Sequence, residues 1–445
     1  MMGMGLAVSA STVAPAVRRS GRRSGCRASA SASGTKTEAF SPRDFRRALN
    51  KSETYNRRGF GHEDAVKGIM EKDFTSSLIQ EMRDDPSKSV TRGNVTVRLA
   101  DSYGFCWGVE RAIQIAFEAR IQYPEDTIHI TNEIIHNPGV NQNLSDMGVK
   151  FIPVDKETGA KDFGAVKPGD VVILPAFGAS VQEMKLLSEN GNKIVDTTCP
   201  WVSKVWNAVD KYDRNGHTSV LHGKYAHEES IATASFAGTY LIIKDMAEAE
   251  YVAEYILHGG DRDAFLRKFS NAVSEGFDPD VHLDKIGVSN QTTMLKGETE
   301  AIAKFLEGTM MKKFGVEHVA EHYMMQDTIC DATQERQDAM YSLVDDSSLD
   351  LMLVVGGYNS SNTSHLQEIA EGKGLPSFWV DNEKRLVDVN VIEHLTFDHQ
   401  LLTTEGWLKP GPLKVGITSG ASTPDKSMDR VLEEIFRQKA IIDAQ

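Results

Sequence analysis

The sequence predicts an α/β fold made of several small units, and we estimate three. Short runs of β-branched and apolar residues alternate with amphipathic stretches along the chain. Most of these runs are continuously apolar, as expected for parallel strands that helices cover on both faces. About ten such runs are spread over some 330 residues, which exceeds one ordinary doubly wound sheet.

The strand candidates follow one another in a regular order. The first, residues 95–100, precedes an amphipathic stretch at 109–121 that predicts a helix. The later candidates are residues 127–130, 171–174, 193–195, 219–221, 240–243, 285–288, 351–355, 378–380 and 414–417. Residues 258–285 are rich in glycine and charge and interrupt the alternation, which predicts a surface insertion or lid.

Length and composition restrict the class of protein. A chain of 445 residues is long enough for two or three packed domains. The formal net charge of −14 disfavours a nucleic-acid partner held by overall basicity. Four cysteines in this length argue against a disulfide scaffold, and no apolar run approaches the roughly 20 residues of a membrane-spanning helix. We therefore expect a reducing, aqueous compartment.

The first 37 residues have the composition of an organelle transit peptide. They contain no Asp or Glu, and five arginines lie among Ser, Ala, Gly and Thr. An ordinary disordered tail is the alternative, although such tails usually also carry acidic residues. Cleavage near Thr35 would remove Cys26 and leave three cysteines.

Residues 38–94 form a charged N-terminal extension. Their weak periodicity predicts a solvated segment with one or two short helices. The alternative is a docking arm for an acidic partner, because basic patches on an acidic protein steer association. Its basic residues are Arg43, Arg46, Arg47, Arg57 and Arg58.

The three remaining cysteines each lie where a predicted strand gives way to a predicted helix. They are Cys106 in GFCWGVERA, Cys199 in DTTCPWV and Cys330 in DTICDAT. Ligands in α/β units bind at the carboxyl ends of strands, so three cysteines at equivalent edges can converge. Their separations of 93 and 131 residues suit one cysteine per unit.

Several kinds of site fit three such cysteines. A single cysteine is more often a small buried hydrophobe than a ligand, and a disulfide would leave one of the three unpaired. Structural zinc sites normally use closely spaced pairs and fill all four positions. An iron–sulfur cluster on three thiolates leaves one iron free to bind a substrate oxygen as a Lewis acid. The spacing permits this last interpretation and does not by itself establish it.

Other predicted strand ends carry histidines, amides and small hydroxyls. Several precede helices, whose free N–H groups favour an anion such as a phosphate or diphosphate, although each alone is usually a helix cap. These sites include His136, Ser180, His227, Thr293, residues 359–362 and Ser422. His227 and Glu229 are the best candidates for proton transfer, because removal of a hydroxyl needs acid delivered to the departing oxygen.

Eight motifs in this order resemble one known family. They are GFCWGVERA, EIIHNPGV, DTTCPWV, YAHEES, NQTT, DTICDAT, NSSN and SGAS. Together they resemble the LytB family of 4-hydroxy-3-methylbut-2-enyl diphosphate reductases, the last enzymes of the non-mevalonate isoprenoid pathway. The similarity runs from about Ser41 to the C-terminus. It is closest to the plastid and cyanobacterial branch, which shares the segment SETYNRRGFGHE.

The resemblance implies three α/β domains in a trefoil around a central [4Fe-4S] cluster held by Cys106, Cys199 and Cys330. We place the domains at residues 108–199, at 200–326 with the 258–285 insertion, and at 95–107 plus 327–436. The implied reaction removes the C4 hydroxyl of the substrate as water and gives isopentenyl and dimethylallyl diphosphate.

The resemblance also implies roles for single residues. Glu229 is similar to the family's proton donor, with His227 nearby, and Thr292 rather than Thr293 is the threonine placed near the hydroxyl. The positions similar to the diphosphate-binding residues are His136, His227, Ser360, Ser361, Asn362 and Ser422. Many bacterial members carry a histidine where this chain has Phe177, so one diphosphate contact differs.

The implied partners follow from the reaction. No strand is followed by a G-x-G-x-x-G nucleotide fingerprint, so the electrons are expected from a protein donor. In a plastid stroma this donor would resemble ferredoxin, and a homodimer is a further expectation. Two other functions fit an open iron or a bare cluster. They are a non-redox [4Fe-4S] hydro-lyase acting on a phosphorylated substrate, and an iron–sulfur carrier or sensor.

Overall fold

Three separate β-sheets with associated helices make up residues 41–445 of the computed structural model. The structure describes residues 40–155 and 159–445. The α/β class with three sheets is confirmed. The transit peptide predicted at residues 1–37 lies outside the described residues.

All ten predicted strands are present, with ends within two residues of the predicted ones. The sixteen strands of the described residues are β1 (Tyr55–Asn56), β2 (Ser89–Arg92), β3 (Val95–Leu99), β4 (Ile128–Ile130), β5 (Lys150–Phe151), β6 (Val171–Leu174), β7 (Lys193–Asp196), β8 (Thr218–His222), β9 (Tyr240–Ile243), β10 (Ile286–Asn290), β11 (Tyr323–Met325), β12 (Leu351–Val355), β13 (Ser377–Val380), β14 (Val391–Leu395), β15 (Leu401–Glu405) and β16 (Leu413–Ser419).

Two of the sheets are parallel throughout. The five-stranded sheet has the order β1-β7-β6-β4-β5, and the four-stranded sheet has the order β11-β10-β8-β9. The seven-stranded sheet, β15-β14-β13-β12-β16-β3-β2, is parallel from β13 to β3 and antiparallel at both edges. The central strands β6 and β12 are buried along their whole length, as their continuous apolar runs predict.

The helices cover both faces of the sheets. In the described residues they are α1 (Pro42–Leu49), α2 (Glu63–Phe74), α3 (Ser77–Asp84), α4 (Trp107–Gln122), α5 (Pro138–Asp146), α6 (Val181–Glu189), α7 (Pro200–Arg214), α8 (Glu228–Ala234), α9 (Met246–His258), α10 (Arg262–Lys268), α11 (Pro279–His282), α12 (Lys296–Phe314), α13 (Val319–His322), α14 (Asp331–Val344), α15 (Ser361–Gly372) and α16 (Asp425–Asp443). Among the described residues, none of them combines the length and apolar composition needed to cross a bilayer.

The N-terminal extension is not the solvated segment predicted from sequence. Its described part forms three helices and two strands, and β1 and β2 each add an edge strand to a sheet. The side chains of Leu78, Ile79 and Met82 on α3 are buried in the core of the seven-stranded sheet. Only one face of each short helix is apolar, so the charged residues dominated the sequence pattern.

The insertion at 258–285 packs against the outer edge of the four-stranded sheet. Backbone hydrogen bonds join Ile242 to Ala272 and Ser274 to Tyr240 beside β9. Phe265 and Phe269 are fully buried, and their rings lie 4.8 Å apart. The segment is therefore anchored by aromatic side chains that join the core beside the four-stranded sheet, where they pack with Val252 and Tyr255 of α9.

Candidate active site

The three cysteines come from three different sheets and line one cavity of about 90 Å³. Cys106, Cys199 and Cys330 each immediately precede a helix, namely α4, α7 and α14. The strands before them are β3, β7 and β11, which belong to the seven-, five- and four-stranded sheets. All three are free thiols.

Each cysteine is fixed by its own backbone. The three N–H groups donate over 3.0–3.2 Å to carbonyls of other residues that line the cavity, which are Ala421, Ala176 and Thr292. The backbone groups of Trp201 and Val202 at the start of α7 hydrogen-bond to the sulfur of Cys199. The sulfur therefore faces the positive end of a helix, which favours a thiolate.

Burial opposes that ionisation. It raises the pKa of Cys199 to about 11 and that of Cys330 to about 12. Thr333, one turn into α14, has its hydroxyl oxygen 3.1 Å from the sulfur of Cys330. Thiolates at these positions consequently need a bound cationic centre to offset the burial.

Gly108 lies beside two of the sulfurs. A methyl group at this position would lie 2.6 Å from the sulfur of Cys199 and 3.9 Å from that of Cys106. The backbone of α4 therefore approaches the Cys199 sulfur in a way that only glycine permits.

A carboxyl and a threonine form a buried pair beside the cysteines. Glu229 is 2% exposed and accepts hydrogen bonds from the backbone N–H of Thr292 at 2.6 Å and from its hydroxyl at 2.9 Å. Burial raises the pKa of Glu229 to about 7, although both hydrogen bonds act to lower it. The hydroxyl of Thr293 instead accepts from Gln291 at 2.8 Å. The contact with Glu229 thus belongs to the first threonine.

Two histidines face each other across the cavity. The Nδ1 atom of His227 accepts from the backbone N–H of Glu229 at 3.1 Å, so the neutral ring carries its proton on Nε2. That Nε2 lies 3.3 Å from Nε2 of His136, whose Nδ1 is 3.1 Å from the carboxylate of Glu133. Burial, followed by the field of His136, lowers the pKa of His227 well below its usual value. His227 therefore presents a neutral N–H donor.

One ring nitrogen of each histidine and a carboxylate oxygen of Glu228 all lie within 4.8 Å of one another. Among the described residues, these three side chains are close enough together to be considered as ligands of one metal ion. The proton on Nε2 of His227 makes this atom a hydrogen-bond donor rather than a metal ligand. The pair suits an oxygen anion better than a cation. The three cysteines do not form such a group, so at least two of their sulfurs lie more than 4.8 Å apart.

Phe177 packs face to face on His136. The ring centroids are 4.2 Å apart with 22° between the planes, and Phe177 meets His227 edge-on at 5.7 Å. Phe177 thus orients two histidine rings, whereas a histidine at this position could donate a hydrogen bond.

Hydroxyls and an amide complete the cavity at the start of α15. Ser360 caps this helix by accepting from the N–H of Thr363. The hydroxyl of Ser361 and the amide nitrogen of Asn362 are buried and have no hydrogen-bond partner among the described residues. Ser422 donates to the backbone oxygen of His136 at 3.2 Å. Two unpaired polar atoms at a helix N-terminus suit an anionic ligand.

All eleven site residues predicted from the sequence line this cavity. They are Cys106, Cys199, Cys330, His136, His227, Glu229, Thr292, Ser360, Ser361, Asn362 and Ser422. The sequence reasoning missed Gly108, Thr333 and Glu133. Thr333 lies three residues after Cys330 in the first turn of α14, a spacing that brings side chains together on a helix. Glu133 lies three residues before His136 in the loop that precedes α5.

A family model described as LytB protein matches residues 97–436. The chain belongs to the LytB family. Curated LytB relatives named 4-hydroxy-3-methylbut-2-enyl diphosphate reductase include those of a Picosynechococcus and a Nostoc strain. Each is 58% identical over 396 residues, which is 89% of this chain and 97% or 98% of the relative.

A solved structure shares the fold. The E-1-hydroxy-2-methyl-but-2-enyl-4-diphosphate reductase of Plasmodium falciparum matches with a TM-score of 0.56 at 23% identity, over 76% of this chain and 86% of that one. At this identity the match supports the LytB fold alone.

Proposed function

We propose that this LytB-family chain reduces 4-hydroxy-3-methylbut-2-enyl diphosphate to isopentenyl and dimethylallyl diphosphate. The C4–O bond breaks, and two electrons and two protons yield the hydrocarbon end and one water. The observation that carries the proposal is the single cavity lined by three cysteines, a carboxyl with a pKa of about 7 and unpaired anion-binding groups.

The donor set fits a [4Fe-4S] cluster held by Cys106, Cys199 and Cys330. Sulfur ligands of one tetrahedral zinc ion lie roughly 3.8 Å apart, given Zn–S bonds of about 2.3 Å. At least two of the three sulfurs here lie more than 4.8 Å apart, too far to bind one such ion. When bound, such a cluster supplies electrons and an iron without a protein ligand that polarises the C–O bond.

Glu229 and Thr292 handle the proton. At neutral pH a carboxyl with a pKa of about 7 is partly protonated, so it can deliver a proton to the departing hydroxyl. The Thr292 hydroxyl donates to Glu229, and because both residues line the cavity with the cysteines, this hydroxyl can orient the substrate oxygen. His227 fixes the backbone of Glu229 by accepting its N–H.

The diphosphate occupies the part of the cavity lined by the histidines and the start of α15. His227 provides a ring N–H group with the ring of His136 beside it, and Ser360, Ser361 and Asn362 provide donors at the N-terminus of α15. Ser422 adds a hydroxyl. Charge-assisted hydrogen bonds from these groups would satisfy the two unpaired donors.

A one-electron protein donor resembling ferredoxin supplies the electrons in a plastid stroma. A second groove of about 620 Å³ reaches all three cysteines and includes Trp107, which is 62% exposed. The groove is a second route to the cysteines, and its lining does not include the two histidines or Ser360. The predicted basic docking arm needs revision in one respect, because Arg57 is held by internal contacts. Arg43 and Arg58 are better candidates for meeting an acidic donor.

One comparison tests the docking hypothesis. Replacing Arg43 and Arg58 by glutamine should weaken turnover driven by ferredoxin and leave turnover with a small chemical reductant unchanged. Equal losses with both reductants would remove the hypothesis.

A homodimer also stays a prediction, which light scattering on the purified chain decides.

The main experiment is anaerobic purification followed by electron paramagnetic resonance and an assay with the diphosphate substrate. We expect a reducible cluster signal that changes when substrate is added, and two diphosphate products. Activity without any reductant would favour a hydro-lyase instead. A cluster without conversion of substrate would favour a carrier or sensor, and full activity of Cys199→Ser would exclude both cluster functions.

A further inference from the structure

Arg57 contacts residues on both sides of Cys199. Its Nε lies 3.5 Å from the carboxylate of Asp196, three residues before the cysteine. Its terminal nitrogen donates at 3.1 Å to the hydroxyl of Ser203, four residues after it. One guanidinium, three-quarters buried, thus joins the end of β7 to the first turn of α7.

Asp196 is the centre of this arrangement. Its side chain is fully buried and accepts hydrogen bonds from the hydroxyl of Tyr55 and from the backbone N–H of Thr198 at 2.9 Å. Tyr55 lies on β1, which pairs in parallel with β7 beside Ile194. A buried carboxylate without these donors and Arg57 would be strongly destabilising.

The same network reaches the helix that follows Cys106. Arg111 on α4 donates to the backbone oxygen of Arg57 and, over 3.3 Å, to the carbonyls of Thr197 and Thr198. The residues just before Cys199 are therefore tied to α4, whose Gly108 touches the Cys199 sulfur.

We propose that Tyr55 and Arg57 are positioning residues for the Cys199 sulfur, through Asp196 and Ser203. The N-terminal extension then sets the geometry of one cluster ligand rather than only covering the sheet. The identification of Cys199 as a cluster ligand rests on the proposed function, whereas the effect on the loop does not.

Amide hydrogen exchange on the cluster-free full chain tests the effect on the loop. Arg57→Lys keeps the charge but cannot make both contacts, and Tyr55→Phe removes one neutral donor. Either change should speed exchange in the 196–203 peptide by about tenfold, the effect of losing one charge-assisted hydrogen bond. Exchange around Cys330 should not change. Arg58→Gln, at the exposed neighbouring position, is the matched control and should exchange like the parent.

Iron retention tests the link to the ligand. In the loaded protein, both variants should lose iron to a chelator several times faster than the parent and Arg58→Gln. Unchanged exchange at 196–203 in both variants, or equal acceleration around Cys330, would overturn the proposal. Faster loop exchange with unchanged iron loss would also overturn it. A chain that shows the loop effect but binds no iron would contradict the proposed function and leave the loop mechanism standing.

Discussion

Thr292 donates two hydrogen bonds to Glu229, one from its backbone N–H and one from its hydroxyl. Both bonds favour the carboxylate, whereas burial favours the protonated acid. Burial is the larger effect, and the pKa of Glu229 is raised to about 7. The pair therefore holds a proton that it can release near neutral pH.

Removing this acid should slow the reaction without disturbing the cysteines. Glu229→Gln keeps the size and a hydrogen-bonding group but cannot supply the proton. We expect turnover to fall by roughly 10²–10⁴-fold, as for other positioned acids. Steady-state assays measure the loss, and electron paramagnetic resonance should show an unchanged cluster. Parental turnover in this variant would assign the proton to another group.

The rate should depend on the protonation of Glu229. Because the protonated form is the donor, kcat should fall as pH rises through about 7. Thr292→Val removes the hydroxyl donor that favours the carboxylate, so the pKa of Glu229 should rise further. The falling limb of the pH profile should then move to higher pH. A limb that stays in place would show that another group controls it.

Gly108 should tolerate no side chain. In Gly108→Ala the new methyl group would lie 2.6 Å from the sulfur of Cys199, so either the sulfur or α4 must shift. We expect iron content and activity to fall together. Gly68→Ala is the matched control, because this helical position on α2 has open space around it. Equal iron content in both variants would contradict the close approach.

The unpaired polar atoms on α15 should control substrate affinity. Ser361→Ala and Asn362→Ala each remove one donor to the diphosphate, which should raise KM about tenfold or more, since hydrogen bonds to charged groups contribute roughly 1.5–3 kcal/mol. The cluster spectrum should not change. Ser188→Ala on α6, outside the cavity, serves as control. An unchanged KM in both α15 variants would place the diphosphate elsewhere.

The fold was predictable where a buried element has a clear apolar pattern in the sequence. Strands such as β12, LMLVV, are apolar along their whole length and could be found from sequence. Strand β1 could not, because its two residues, Tyr55 and Asn56, gain their conformation from pairing with β7. The prediction of a solvated N-terminal extension was wrong for the same reason. Its apolar residues are few, and they become buried only by packing against the sheets.

The candidate site shows the same division. The convergence of the three cysteines was predictable from their positions at the ends of strands. The roles of the site residues came from the family resemblance. The contacts of Gly108, Glu133 and Arg57 depend on how separate segments meet. No local pattern around Arg57 indicates that its two contacts will lie on either side of Cys199.

The origin of the three cysteines in three sheets has a consequence for stability. A group bound to all of them would act as a cross-link that closes loops of 93 and 131 residues. Closing loops of this length removes substantial entropy from the unfolded chain. The loaded protein should consequently unfold at a higher temperature than the empty protein.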